Sequence, residues 1–203
     1  MTTVRKPVVL VDMDGTIADF DARVYALMAA RHPEVKLPPF EQRAYPLSGS
    51  LPPGQRPLLA ALFAEVGFYR EMAPVEGAVE ALHEMVAAGI EVRLCSSPLG
   101  TFSICASEKI EWVIAHLGQS WYDRLILTRD KTLIRGNFLI DDAPQAKGDC
   151  LEPGWEHIYF DQPYNRPADG GASGAGGGQA GLRRLVAWKD WRSLTPLVTR
   201  EHV

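Results

Sequence analysis

The amino-acid sequence predicts an α/β protein: a doubly wound parallel sheet with a small helical cap inserted after the first strand. Three observations predict it. Short apolar runs of strand length alternate along the chain with amphipathic segments of helical period, the signature of strand–helix–strand units. The first run, Val8 to Val11, is apolar at every position, as a strand covered on both faces is. The one long break in the alternation, residues 20–73, comes after that strand and carries helical patterns but no strand pattern.

In chain order, Val8 to Val11 reads as a central strand, and Gly15 permits the chain to turn just beyond it. Phe20, Val24, Leu27 and Met28 then share one helical face, and Leu58, Leu59, Leu62, Phe63 and Val66 share another. A proline-rich connector (Pro38, Pro39, Pro46, Pro52, Pro53, Pro57) joins them. An excursion of this kind would sit above the strand ends as a cap, although the same pattern also fits an ordinary pair of packed helices. Val75, Val79, Leu82 and Val86 predict a helix ending at Gly89, and Ile110, Val113, Ile114 and Leu117 one ending at Gly118, both glycines suiting the left-handed position past a helix. Strands are expected at Ile90 to Cys95, Leu125 to Leu127, Phe138 to Ile140 and Ile158 to Phe160. The stretch 169–181, DGGASGAGGGQAG, predicts a flexible glycine-rich loop, and a closing helix around Leu182 to Leu194 should dock Leu185, Trp188 and Trp191 on the core. The expected domains are a core of residues 1–19 and 74–203 and a cap of residues 20–73.

Composition narrows the function. A chain of 203 residues, 46% hydrophobic and 23% charged, suits one globular domain or a core with an insertion. A net charge of -4 and a pI near 5.7 provide no basic surface for a nucleic-acid polymer, while a small phosphate ester can still find a local cationic pocket. Cys95, Cys105 and Cys150 form no CxxC pair and read as reduced, buried thiols. The N-terminus enters a strand within a few residues and no apolar run reaches membrane-spanning length, so the expectation is a cytoplasmic protein without a signal peptide or membrane span.

The residues that carry chemistry stand at the strand ends. Asp12, Asp14 and Asp19 come after the first strand, Ser96 and Ser97 after the second, Thr128 to Lys131 after the third, and Asp141 and Asp142 after the fourth. In a doubly wound sheet these converge on the edge where ligands bind. Carboxylates gathered there repel one another and take up protons unless a cation neutralises them, and Mg2+, which accepts carboxylates, waters and phosphate oxygens, is the expected cofactor. Asp12 can then attack phosphorus while Asp14 protonates the leaving oxygen and later activates water. A lone pair of aspartates at a strand end would more ordinarily cap a helix or make a turn; the other strand ends favour the catalytic reading.

DMDGT after an apolar strand, a serine ending the next, a downstream lysine and IDD ending a later strand resemble the four motifs of haloacid dehalogenase superfamily phosphatases. More narrowly, VDMDGTIADF, CSSP, EKIEWV, LTRDKT, LIDDAP and WEHIYF resemble the 5'(3')-deoxyribonucleotidases, over most of the chain from Val8 to Phe160. The resemblance implies a Rossmann-like core and a Mg2+-dependent phosphomonoesterase for a nucleoside monophosphate, working through an aspartyl-phosphate on Asp12 with Asp14 as general acid/base. It implies Asp12, the carbonyl of Asp14, and Asp141 as metal ligands, with Asp142 as ligand or outer support. Ser96, Ser97 and Lys109 would bind phosphate; Lys109 is expected in the first turn of a helix, where free N–H groups also favour an anion. Phe20, Phe68, Leu99, Arg129 and Lys131, with Tyr69, would form the nucleoside pocket, and a homodimer is compatible.

The connector RAYPLSGSLPPG lacks the tryptophans that the best-known animal members place over the base, and Ala143 stands where they have arginine. Another small phosphate ester, such as a sugar phosphate, is therefore the alternative substrate. A phospho-receiver domain also gathers aspartates, a hydroxyl and a lysine, but it needs a long-lived phosphoaspartate that a base at Asp14 would shorten. No cysteine is followed six residues on by arginine, which excludes a cysteine phosphatase. A dehalogenase needs neither the metal site nor Asp14.

Overall fold

The computed structural model describes residues 6–99, 104–146, 148–166 and 183–194. Its centre is a six-stranded parallel sheet in the order β3-β2-β1-β4-β5-β6. The strands are β1 (Val8–Val11), β2 (Glu91–Ser96), β3 (Leu125–Leu127), β4 (Phe138–Asp141), β5 (Glu156–Phe160) and β6 (Arg184–Leu185). The chain builds outward from β1 to β3, then returns to the other side of β1 for β4 to β6. The order therefore reverses between β1 and β4, the point at which such sheets open a crevice beyond their carboxyl ends. Val11 pairs with Ile140, and the Asp12 N–H donates to the Ile140 carbonyl at 2.9 Å, so the residues ending β1 and β4 emerge side by side.

Alternation along β1 divides its side chains between the two faces of the sheet. Val9 and Val11 join the large apolar cluster, which takes the buried apolar residues of all four α-helices. These are α1 (Phe20–Arg31), α2 (Arg56–Phe63), α3 (Ala78–Ala87) and α4 (Cys105–Leu117). Leu10 turns the other way, into a smaller cluster with Cys95, Leu139 and Trp155. Helix cover is thus unequal on the two faces, and connecting segments such as the one holding Trp155 close the second.

Several expectations need correction. The buried stripe of α3 is Ala78, Ala81, Leu82 and Met85, so the core face is displaced from the valines, which pack at its margin. Val66 lies past the end of α2 and is 72% exposed. Residues 183–194 form no α-helix: a two-residue strand adds to the sheet edge and a 3-10 helix, Trp188–Leu194, comes next. Leu185, Trp188 and Trp191 are nonetheless buried. Cys150 is half-buried rather than a core residue. The glycine-rich stretch 169–181 lies outside the described residues. Among the described residues, no helix is long and apolar enough to cross a membrane.

Candidate active site

Beyond β1 the chain coils tightly: the N–H groups of Thr16, Ile17 and Ala18 all point at the Met13 carbonyl, and Gly15 sits at φ +83°. An added Cβ there would lie 2.9 Å from Asp142 Oδ2, so glycine serves both the turn and the close approach. The coil turns Asp12 and Asp14 into one cavity. Asp19, expected among the clustered carboxylates, instead caps α1, accepting from the Ala22 N–H at 3.0 Å.

Asp12, Asp141 and Asp142 are buried, at 7%, 2% and 4% exposure, and each offers an oxygen within 4.8 Å of the others'. Burial is the main force raising Asp12 to a pKa of about 6; Lys131 pulls it back, and Asp141 and Asp14 add to the rise. Asp142 is pushed well above the carboxylate range by burial, then by Asp141 and Asp12. Such a set of hard oxygen donors, crowded and short of counter-charge, fits a hard dication.

The two lysines divide the carboxylates in a way the spacing did not reveal. Lys131 donates to Asp12 Oδ1 at 2.5 Å and to Asp141 Oδ2 at 2.7 Å. Burial works against its charge, but the two aspartates outweigh burial and hold its pKa above the ordinary lysine value. Lys131 was expected beside the nucleoside; the 3-10 turn Lys131–Leu133 aims it at the acidic centre instead. Asp130 shapes that turn, accepting from the Thr132 N–H at 2.8 Å and the Asp149 N–H at 2.7 Å. Lys109, 1% exposed, donates to Asp14 Oδ1 at 2.5 Å, not to Asp12. Because α4 begins at Cys105, Lys109 lies beyond its first turn, where backbone N–H groups are already bonded, and the argument from a free helix end fails. Its neighbour Glu108 is buried too, accepting from the N–H groups of Gly67 at 2.5 Å and Tyr69 at 2.9 Å and so tying the end of segment 20–73 to α4.

The cavity, about 460 Å³, has Asp12, Asp14, Ser96, Lys131, Asp141 and Asp142 at one end. Ser96 ends β2 buried; Ser97 beside it is exposed. Phe20, Phe63, Tyr45 and Leu47 line the side formed by residues 20–73, with Leu99 and Arg129 opposite. Arg129 makes no ion pair among the described residues, with Asp130 or any other acid. Phe68 does not line the cavity: it is buried behind Phe20 and Phe63, with ring centroids 5.7 and 5.1 Å away. Tyr69 is likewise buried, beneath Lys109.

Three contributors escaped the sequence reading. Thr16 Oγ1 donates to Asp142 Oδ1 at 3.1 Å, and the Tyr164 phenol to Asp142 Oδ2 at 2.5 Å. Arg43, from the proline-rich connector, stacks on the Tyr164 ring and pairs with buried Asp21 at 2.6 Å. The one available signal was positional: Tyr164 lies just past the end of a strand in the same sheet.

A parallel sheet with carboxylates at the β1 and β4 ends is the arrangement of the haloacid dehalogenase-like hydrolases, and solved structures agree. A hydrolase of that family from Deinococcus radiodurans R1, with bound phosphate and sodium, superposes with a TM-score of 0.54 at 15% identity, covering 96% of this chain and 97% of that one. One from Bacillus subtilis, bound to magnesium, gives 0.55 at 11% identity over 97% of this chain and 100% of its own. These likenesses establish the fold class. Within it, residues 6–175 match the family of the "5' nucleotidase, deoxy (Pyrimidine), cytosolic type C protein", and the chain belongs to that family of phosphoric monoester hydrolases. The human cytosolic-type 5'(3')-deoxyribonucleotidase is 39% identical over 192 residues, 92% of each chain. A Bordetella pertussis protein whose name assigns it provisionally to the same activity is 41% identical over 92% of this chain and 94% of its own. The mouse mitochondrial 5'(3')-deoxyribonucleotidase is 35% identical over 92% of this chain and 84% of its own.

Proposed function

We propose that the protein hydrolyses the phosphate monoester of nucleoside monophosphates, as a 5'(3')-deoxyribonucleotidase, with residues 20–73 acting as a cap over the site. The observation that carries the reading is Asp12, a buried carboxylate at the floor of a nucleotide-sized cavity, with Asp14 beside it. Asp12 attacks phosphorus and displaces the sugar oxygen, to which Asp14 gives a proton. Water then attacks the aspartyl-phosphate, Asp14 takes the water's proton, and inorganic phosphate leaves with Asp12 restored.

Lys131, within reach of Asp12, stabilises the phosphoryl charge together with the Ser96 hydroxyl; Lys109 holds Asp14 in place. Ser97 lies at the mouth of this phosphate site. Asp12, the carbonyl of Asp14, and Asp141, with Asp142 beside them, would hold Mg2+, which supplies charge neutralisation to the phosphoryl oxygens. Phe20 offers a face to the base, Phe68 backs it, and Leu99 and Arg129 close the far wall. The apolar lining disfavours a 2'-hydroxyl left without a partner.

Phosphate release with Mg2+ from a panel of deoxy- and ribonucleoside monophosphates and sugar phosphates tests the reading. Deoxyribonucleotides should turn over best, and Asp12→Asn should abolish turnover. An active Asp12→Asn rejects the covalent mechanism, and activity confined to sugar phosphates rejects the nucleotidase.

A further inference from the structure

Among the described residues, Asp142 is the one carboxylate of the acidic cluster that no lysine touches: Lys131 serves Asp12 and Asp141, and Lys109 serves Asp14. Its two oxygens are held by hydroxyls instead, Oδ1 by Thr16 and Oδ2 by Tyr164. Thr16 belongs to the coil beyond β1, which lies within the motif around Asp12 and Asp14. Tyr164 comes from the segment after β5, which belongs to none of the motifs. We propose that Tyr164 is a positioning residue of the hydrolase, whose phenol fixes the carboxylate of Asp142 in the orientation the metal requires.

The surrounding structure is built to keep Tyr164 in place. The guanidinium carbon of Arg43 lies 3.7 Å from the ring centroid, and the Tyr45 ring stacks with it at 5.3 Å and 22°. Both come from the connector within residues 20–73, so that segment grips the residue that holds Asp142. Arg43 is itself anchored on Asp21 of α1.

From below, Asn165 donates to the carbonyls of Asp142 and Phe160, each at 2.8 Å, and Gln162 donates to the Gly15 carbonyl at 2.7 Å. Arg184 of β6 closes the support, donating to Asn165 Oδ1 at 2.5 Å and to Asp161 Oδ1 at 2.8 Å. Residues 161–166 thus fasten the coil beyond β1, the end of β4 and the cap connector to one another. A phenol supported on so many sides and directed at a single carboxylate oxygen sets that carboxylate's rotamer. Partners of metal-holding groups act in this way, and losing one typically costs about 10- to 100-fold in metal affinity.

The inference rests on reading Asp142 as part of the metal site, and the test separates the two. Mg2+ affinity is measured by calorimetry on the full chain without substrate, for wild type, Tyr164→Phe and Asp142→Asn. Tyr164→Phe keeps the ring that Arg43 and Tyr45 contact and removes only the hydroxyl. It should bind Mg2+ about 10-fold or more weakly, melt close to wild type, and regain turnover as Mg2+ is raised, with the nucleotide KM at saturating Mg2+ unchanged. A Tyr164→Phe protein of wild-type Mg2+ affinity, beside an Asp142→Asn protein that has lost it, overturns the role of Tyr164 and leaves the metal reading standing. Wild-type affinity in Asp142→Asn overturns both. A Tyr164→Phe protein that melts far below wild type, and whose turnover extra Mg2+ does not restore, assigns Tyr164 to the fold alone and also overturns the proposal.

Discussion

Replacing Lys131 by methionine keeps most of the side chain's bulk and deletes the ammonium that Asp12 and Asp141 share. In chelator-treated protein this leaves two carboxylates, 7% and 2% exposed, without that counter-charge. Breaking a buried pair from one side costs about 3–5 kcal/mol. For a chain of this size each kcal/mol moves the melting temperature by about 2–4 °C, so a fall of about 6–20 °C is expected near neutral pH. The pH dependence identifies the cause. Burial already lifts Asp12 to a pKa of about 6, and Lys131 is the group that restrains the rise, so without it the value climbs further. A carboxyl whose folded pKa exceeds its unfolded one stabilises fully below the unfolded value and loses that contribution as pH rises through the folded value. The deficit of Lys131→Met should therefore be small near pH 4 and grow through pH 6 and above. Saturating Mg2+ should recover part of it. Scanning calorimetry in chelator at about pH 4.5 and about pH 7.5 reads both effects. A variant melting within about 2 °C of wild type at the higher pH would refute the reasoning, because the carboxylates would then not depend on Lys131.

Ser96→Ala should lower kcat by about 10²- to 10³-fold with little change in KM, since the hydroxyl is read as acting on the phosphoryl charge; steady-state kinetics check it, and an unchanged kcat removes Ser96 from the site. Gly15→Ala forces a side chain to φ +83° and against Asp142, so it should destabilise by about 1–3 kcal/mol and weaken Mg2+ binding together, measured by thermal melting and titration calorimetry. Loss of stability alone would mean that Asp142 had not been disturbed. Glu108→Ala strands the N–H groups of Gly67 and Tyr69, at about 1–3 kcal/mol for each buried donor. Amide exchange at residues 67–70 should accelerate more than in the sheet, and uniform exchange would refute a local tether.

The sheet was legible because its signal is local: runs of three or four apolar residues bounded by polar or turn-forming ones mark most of its strands, and β1 and β3 fall on the expected residues. Asp12, Asp14, Ser96, Asp141 and Asp142 were legible for a related reason, each being the first or second polar residue after such a run. Lys109 and Lys131 were legible as site residues, but their partners were not. Whether Lys109 or Lys131 reaches Asp12 depends on where α4 starts and on the turn after Asp130, and neither is a matter of composition. Beyond the place of Tyr164 after a strand, nothing in the sequence marked Tyr164 or Arg43, and for a stronger reason. They meet across 121 residues of chain, through a stacking contact that leaves no periodicity in the sequence around either partner.

Charge balance connects these observations to the chemistry. The acidic centre brings four carboxylates, Asp12, Asp14, Asp141 and Asp142, against two ammoniums, Lys109 and Lys131. With every group ionised, two negative charges remain in a site where burial makes unbalanced charge costly. A divalent cation matches that remainder, whereas a monovalent one leaves the site anionic before a phosphate dianion enters. Burial above all, and then the neighbouring carboxylates, raise the pKa of Asp12 and of Asp142, so in the metal-free site protons compete for these oxygens. In the proposed mechanism protonation of Asp12 would remove the nucleophile, so an ion that displaces those protons would both balance the charge and free the attacking oxygen. On this argument Mg2+ dependence should steepen as pH falls toward 6, where protons compete most strongly for the same oxygens.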